Sequence, residues 1–431
     1  MPGISVSKIC VPFGGGGINW SSYWATRTIS GLAITVDSDT QFTLNWTNDG
    51  VADYDGHKIY ISTDGINYSL NKTVASVGTS TTITGLNEDT RYWIKVAPYK
   101  NASVGKLSAA DEDYTYYAIT VTKFGDGSGT TTIKVVTDIN QTFVLTETAK
   151  FYSDQAGTLD ESSTWAVTTG AVRTRYIKNS GVAAKLLVKA KNIISAGEPG
   201  ADFLRMNAPG SPVTTYNISH FENVTRIRMV DPGHTISGSI TGLTKLISIA
   251  MASYTGTISG SINGLTQCTY FSVRGGNTIS GNINNFPTTL TFLCAAGTNT
   301  LSGSLTNFTS LYSINVTGNN TIYGDLGVNN VCDGINDFFV LNPCAMTTYT
   351  AGGTWENVSI TIIPSVGYGL DATEIDNMLI DMANSATLSG KTITLTGSNA
   401  ARTAASDAAV ATLQTLNSGY VHAGCTIVTN P

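Results

Sequence analysis

Between residues 235 and 326 the chain writes one six-residue phrase five times. It reads TISGSI at 235–240, TISGSI at 257–262, TISGNI at 278–283, TLSGSL at 300–305 and TIYGDL at 321–326. Ile236, Ile258, Ile279, Leu301 and Ile322, the first apolar residue of each copy, follow one another at intervals of 22, 21, 22 and 21. A repeat of about 20–29 residues with leucine-like positions predicts a leucine-rich-repeat-like solenoid. A second motif rides in each unit: Leu246-x-x-Ile249-x-Met251, Cys268-x-x-Phe271-x-Val273, Leu290-x-x-Leu293-x-Ala295 and Leu311-x-x-Ile314-x-Val316. Val224-x-x-Ile227-x-Met229 and Ile335-x-x-Phe338-x-Val340 fit as weaker outer turns. Each unit then needs one short strand, whose apolar face is buried only when the next turn stacks on it. Asn277, Asn299 and Asn320 stand at the strand exits, where a side-chain amide can satisfy the backbone of a tight bend. His234 and Gly256 take that place in two turns. The solenoid is assigned to residues 221–345.

The flanks read as mainly β. Residues 346–431 are expected to form an α/β C-terminal cap. DATEIDNMLIDMA carries Ile375, Met378, Leu379 and Met382 at helical spacing, KTITLTG alternates, and an Ala-rich helix and a strand CTIVTN follow. Residues 119–220 read as a β-rich connector whose last strands cap the first solenoid turn. In residues 29–118, FTLNW places Trp46 inward, and Leu86 precedes Thr90-x-Tyr92-x-Ile94-x-Val96. That run resembles the E–F corner and strand F of the fibronectin type III family. The resemblance implies a β-sandwich in which Tyr92 makes the tyrosine-corner hydrogen bond and Trp46 is the core tryptophan.

Composition removes several classes of function. Only 13% of the 431 residues are charged and the formal net charge is −6, which gives no footprint for nucleic acid or anionic membrane. No apolar run reaches the ~18 residues of a membrane span, and MPGISVSKIC lacks a signal-peptide core, so synthesis in a reducing cytoplasm is expected. The six cysteines are widely spaced, without a zinc or disulfide pattern. His57, His220, His234 and His422 have no neighbours in metal-ligand or triad spacing, and no cofactor motif is complete. SATLSGKT ends like a phosphate loop, but Ser385 replaces its first glycine and a strand follows. Asp154, Asp160 and Glu161 are the acids that come nearest to a glycosidase carboxylate pair, but surface acids without a catalytic role are far commoner. The chain is read as no enzyme.

A binding face is the better candidate. Between the inward residues, Ser248, Tyr270, Phe292 and Ser313 fall in one column, with Ile247, Thr269, Thr291 and Tyr312 beside it. Tyr270, Phe292 and Tyr312 are therefore the candidate ligand or subunit-contact face, suited to sugar rings or to a protein partner. Cys268 reads as a small core residue and Cys294 as an outward one.

At the start, VPFGGGGINWSSYW sets Phe13, Gly14, Gly15, Gly16 and Gly17 beside Trp20, Tyr23 and Trp24, a composition suited to docking and ordering on a partner. This segment (residues 1–28), the NTISGxI repeats and the GYGLDATEIDNMLIDMA ending together resemble virion proteins of phages infecting Bacteroidetes, including the crAss-like group. The resemblance implies a virion fibre or tail-fibre subunit. Phe13 to Trp24 would attach to other virion proteins, and the repeats would face host glycan or protein, in a homo-oligomer. Alternatives are a capsid decoration, head-fibre or collar protein without a receptor and, more distantly, a capsular polysaccharide depolymerase.

Overall fold

The computed structural model describes residues 25–50, 54–123, 128–135, 141–146, 149–167, 173–181, 183–193, 204–206, 213–229, 235–251, 256–326, 339–355, 358–385, 388, 390–415 and 424–431. The chain divides into two compact units, Met1–Tyr116 and Tyr117–Pro431.

In the first unit, alternating apolar and polar residues give strands that bury one face. Ser30–Val36, Gln41–Thr47 and Ser80–Thr84 form one antiparallel sheet. Ser69–Val74, Gly56–Ser62 and Arg91–Lys100 form the other, extended by Ser103–Val104 and Asp111–Tyr114. Phe42, Leu44, Trp46, Ile59, Ile83, Ile94 and Val96 fill the core. The Tyr92 hydroxyl accepts a hydrogen bond from Asn87 N at 2.9 Å, which pins the corner before its strand. Tyr92→Phe keeps the packing and removes that bond. It should lower the unfolding free energy by about 1 kcal/mol, read from urea unfolding followed by Trp46 fluorescence.

The second unit opens with two antiparallel sheets. One runs Thr164–Val167, Gln141–Leu145, Ala183–Val188, Tyr117–Thr122. The other runs Ala149–Tyr152, Arg173–Asn179, Thr131–Val135, Leu204–Met206. Val213–Asn217 then pairs antiparallel with Tyr117–Thr122 and parallel with Thr235–Ser239, so the antiparallel sheet passes directly into a stacked solenoid. One apolar core extends from Tyr117 to Cys425.

The first ladder of the solenoid is parallel throughout. Its central apolar column joins Ile227, Ile249, Phe271, Leu293, Ile314, Phe339, Ile360, Ile393 and Ile427. Two differences from the sequence reading follow. The register at the sixth rung runs through Phe339 and Leu341, both buried, and Val340 points outward; Ile335 and Phe338 lie outside the described residues. The ladder also runs past residue 345. After Phe339 the interval is 21 to Ile360, then 33 to Ile393 and 34 to Ile427, because a helix occupies each of the last two turns.

These helices are α1 (Ala372–Asn384) and α2 (Asp407–Thr415). A capping box between Asp371 and Glu374 starts α1, and Ile375, Met378, Leu379 and Met382 are buried as their spacing predicts. Asp376 on α1 accepts from Thr403 N at 3.0 Å, from the Thr403 hydroxyl, and from Ser406 Oγ at 2.6 Å, tying α1 to the approach of α2. Burial raises the Asp376 pKa, but the bonds from Ser406 and Thr403 outweigh it and hold the carboxyl below its ordinary value. A depressed folded pKa gives stability that is complete above the unfolded value of about 3.9 and lost as pH falls through the folded one. Unfolding free energy should therefore drop below about pH 4, and Asp376→Asn should flatten that acid limb in a pH series of melts.

The repeated phrase itself forms a second parallel ladder, where one strand per unit was expected. Thr235–Ser239, Ile258–Ser261, the distal halves of Tyr270–Asn282 and Phe292–Ser304, and Thr321–Tyr323 stack in order. Its letters divide by job. Ile236, Ile258, Ile279, Leu301 and Ile322 are core. The glycine adopts positive φ in every copy, and at Gly303 a Cβ would stand 2.3 Å from Asn282 Oδ1 of the preceding turn. The next residue caps its own bend: Ser239, Ser261, Asn282 and Ser304 each accept from the backbone N–H two residues on. The residue after the second apolar position ties the turns together. Thr241, Asn263 and Asn284 accept from Ser261 N, Asn282 N and Ser304 N at 2.8–2.9 Å.

Behind the bend the asparagines form a buried ladder. Asn277, Asn299 and Asn320 accept from Ile258 N, Ile279 N and Leu301 N of the preceding turn. Asn399 does the same for Leu370 N at 3.0 Å and donates to Ile362 O, so the device recurs within 346–431. At Gly256 an asparagine is excluded: φ is +109° and a Cβ would lie 2.1 Å from Ile236 O. His234 lies outside the described residues.

Candidate functional site

The predicted aromatic column exists as a register. Ser248, Tyr270, Phe292 and Ser313 are successive partners across four rungs. Rungs of a sheet lie about 4.8 Å apart, so flat side chains on neighbouring rungs stack along the ladder. Tyr270 and Phe292 do so, with centroids 4.5 Å apart and planes 14° from parallel, and Tyr312 meets Phe292 edge-on at 5.7 Å. The column is not an open platform, however. Phe292, the middle ring, is 3% exposed, while Tyr270 and Tyr312 are half-buried. Its neighbours Ser272, Cys294 and Ser313 are buried too, and Ser313 Oγ has no hydrogen-bond partner among the described residues. Cys294 alternates with Leu293 and Ala295 as the outward residue it was expected to be, yet is fully covered. Strand alternation fixes the side of the sheet, not what lies over it.

Phe13, Gly14, Gly15, Gly16, Gly17, Trp20, Tyr23 and Trp24, expected from the sequence to attach to a partner, lie outside the described residues. Other candidates have structural roles. Burial pushes the Cys268 thiol up to about 12 and the Cys344 thiol up to about 11, which keeps both protonated and inert. Asp154 accepts from Thr158 N, Thr158 Oγ1 and Leu159 N; burial opposes ionisation, but these bonds hold its carboxyl below the ordinary value, opposite to a general acid. His57 is fully buried between Trp46, whose Nε1 donates to it at 3.2 Å, and Ser76 O, and burial lowers its pKa. Lys391 is followed by the strand Thr392–Leu395, as the rejection of a phosphate loop required.

A second face was missed by the sequence reading. On the five-stranded sheet of the first unit, Arg91, Trp93, Lys95 and Tyr99 point away from the core, beside Lys58 and Tyr60 of the adjacent strand. Cations sit over rings: Lys95 Nζ is 4.2 Å from the Tyr68 centroid and Lys58 Nζ 5.6 Å from that of Tyr99. The Arg91 guanidinium lies 4.5 Å from Trp93 and 5.7 Å from Tyr114, and also pairs with Glu112. The signal available was the alternation Arg-x-Trp-x-Lys in RYWIKVAPY.

Two packed antiparallel sheets, the buried Trp46 and the Tyr92 corner are the marks of one family, and the Fibronectin type III domain family matches residues 27–114. Residues 27–114 form a fibronectin type III domain. Similar solved structures include the chicken CNTN1 FN1–FN3 domains, at 20% identity, covering 21% of this chain and 32% of that one, with a TM-score of 0.20. The chain thus spans about a third of that structure. The fn3 domain of human contactin 1 is 19% identical, covering 21% and 77%, at a TM-score of 0.20. The FN5 domain of Drosophila Lar is 24% identical, covering 20% and 92%, at 0.17. No curated protein matches the chain.

Proposed function

We propose that this chain is a non-catalytic structural subunit of a bacteriophage virion, of the fibre or adhesin type. In this reading residues 1–28 attach it to other virion proteins, the fibronectin type III domain is a spacer or platform, and the leucine-rich-repeat-like solenoid is a rigid display arm closed by its α/β end. Assembly takes place in the host cytoplasm, and copies associate as a homo-oligomer. The observation that supports it best is the nine-rung parallel ladder over one apolar core, which stiffens the arm by adding turns. The phage assignment rests on the likeness of the first segment, the phrase and the ending to phage virion proteins.

The burial of Phe292 favours a second reading beside it, a decoration or collar protein in which Tyr270, Phe292 and Tyr312 serve packing. Imaging virions with a label fused after Pro431 separates the two. Label at the tips of tail projections supports the fibre reading; label over the capsid or at the neck supports the second. Removing residues 1–24 should abolish incorporation into particles while leaving the melting transitions in place, and a truncated chain that still incorporates would overturn the attachment role.

A further inference from the structure

The geometry points to the outer face of the fibronectin type III sheet as a binding site for a carboxylate-bearing polysaccharide. Among the described residues of the first unit, four of the seven cations are held in ion pairs or hydrogen bonds: Arg27 with Asp49, Arg91 with Glu112, Lys100 with Asp55, and Lys72 with Thr82 O. Lys58 and Lys95 differ. Among the described residues neither has a carboxylate within 4.0 Å, although the unit carries more acids than bases. Both ammonium groups are held in place over tyrosine rings instead. They stand on adjacent strands, with Tyr60 opposite Lys95 and Lys58 opposite Ala97, so one face presents two unneutralised charges around Tyr60.

The nearby acids are committed. Glu112 is paired with Arg91, and Asp64 is enclosed in its own turn by Ser62 Oγ, Ile66 N and Asn67 N, which hold it strongly ionised. A uronic acid chain complements this arrangement in two ways. Its carboxylates neutralise Lys58 and Lys95, and the apolar side of its sugar rings lies against aromatic side chains. The rings are half-buried and anchored by their cations, so little side-chain freedom is lost on binding. This site does not rest on the virion reading and is separate from the solenoid column.

The test is isothermal titration of the full chain with alginate oligosaccharides, with neutral maltooligosaccharides and poly-L-glutamate as comparators. Alginate should bind, more weakly as salt rises, and maltooligosaccharides should not. The Lys58→Ala, Lys95→Ala double variant should lose about tenfold or more in affinity. Tyr60→Ala should weaken alginate binding as well. If the alanine pair unfolds, Lys58→Gln with Lys95→Gln keeps the stems over the rings and must show the same loss. Failure of alginate to bind, or equal binding by the folded double variant, overturns the site. Poly-L-glutamate binding as tightly, with Tyr60→Ala indistinguishable from wild type, overturns the sugar assignment in favour of an acidic protein segment.

Discussion

Replacing Asn299 by alanine should destabilise the solenoid by about 3 kcal/mol, one of the two largest single-site losses expected in the chain. Asn299 is fully buried, and its amide serves three backbone groups. Oδ1 accepts from Ile279 N at 2.9 Å, and Nδ2 donates to Ala295 O at 2.8 Å and Thr317 O at 3.3 Å. Alanine leaves all three unpaired where water does not reach, and a buried orphan costs more than a hydrogen bond contributes. Asn299→Asp sharpens the test. The carboxylate keeps the bond from Ile279 N but turns an acceptor toward two carbonyl oxygens and buries a charge. It should cost more than alanine at neutral pH and recover as pH falls, because burial raises the folded pKa of such a group. Asn284→Ala is the contrast: its bonds to Ser304 N and O are exposed, so solvent replaces them and the loss should stay below about 1 kcal/mol. The solenoid transition in urea, followed by far-UV circular dichroism, reads all three. Equal losses for Asn299 and Asn284 would mean that the buried ladder is no more important than the exposed one.

The same contrast explains what was legible in the sequence. Asn277, Asn299 and Asn320 were readable because they recur at the strand exit of a fixed period. Asn399 accepts from the preceding turn in the same way but follows a 33-residue interval, which hides it from a search at 21 or 22. The second ladder was missed because Ser and Gly are poor strand formers; the extended conformation of the phrase is imposed by stacking on its own copies. Tyr92 and Trp46 were legible because each needs only local sequence around a packed corner. Phe292 was not, since its cover comes from residues that alternation along one strand does not name. Lys58 and Lys95 were passed over as ordinary outward polar residues, and their ring partners Tyr99 and Tyr68 become visible only in the folded sheet.

The register at the sixth rung sets the other large expectation. Phe339→Ala should cost about 3–5 kcal/mol and Val340→Ala less than about 1 kcal/mol. Phe339 is fully buried, pairs with Ile314 and Ile360, and packs its ring 5.5 Å from that of Trp355. Val340 points the other way, opposite Asn315 and Thr361. The sequence motif placed Phe338 and Val340 inward, 24 residues after Ile314 and Val316, whereas the true interval from Ile314 to its partner Phe339 is 25, one residue out of step. Since side chains alternate with a period of two, a slip of one residue reverses every inward and outward assignment on that rung, and the two variants must exchange their effects if the slipped register is correct. Leu341→Ala provides an independent check, because Leu341 joins Val316 and Ile362 in the second apolar column and should follow Phe339 rather than Val340. A large loss at both odd-numbered positions with a small one at Val340 requires the two apolar columns to run unbroken from the repeated turns into the helical ones. In that case the regular and irregular parts of the arm unfold as neighbours on one ladder, and a label after Pro431 reports the end of a rigid element rather than of a tethered cap.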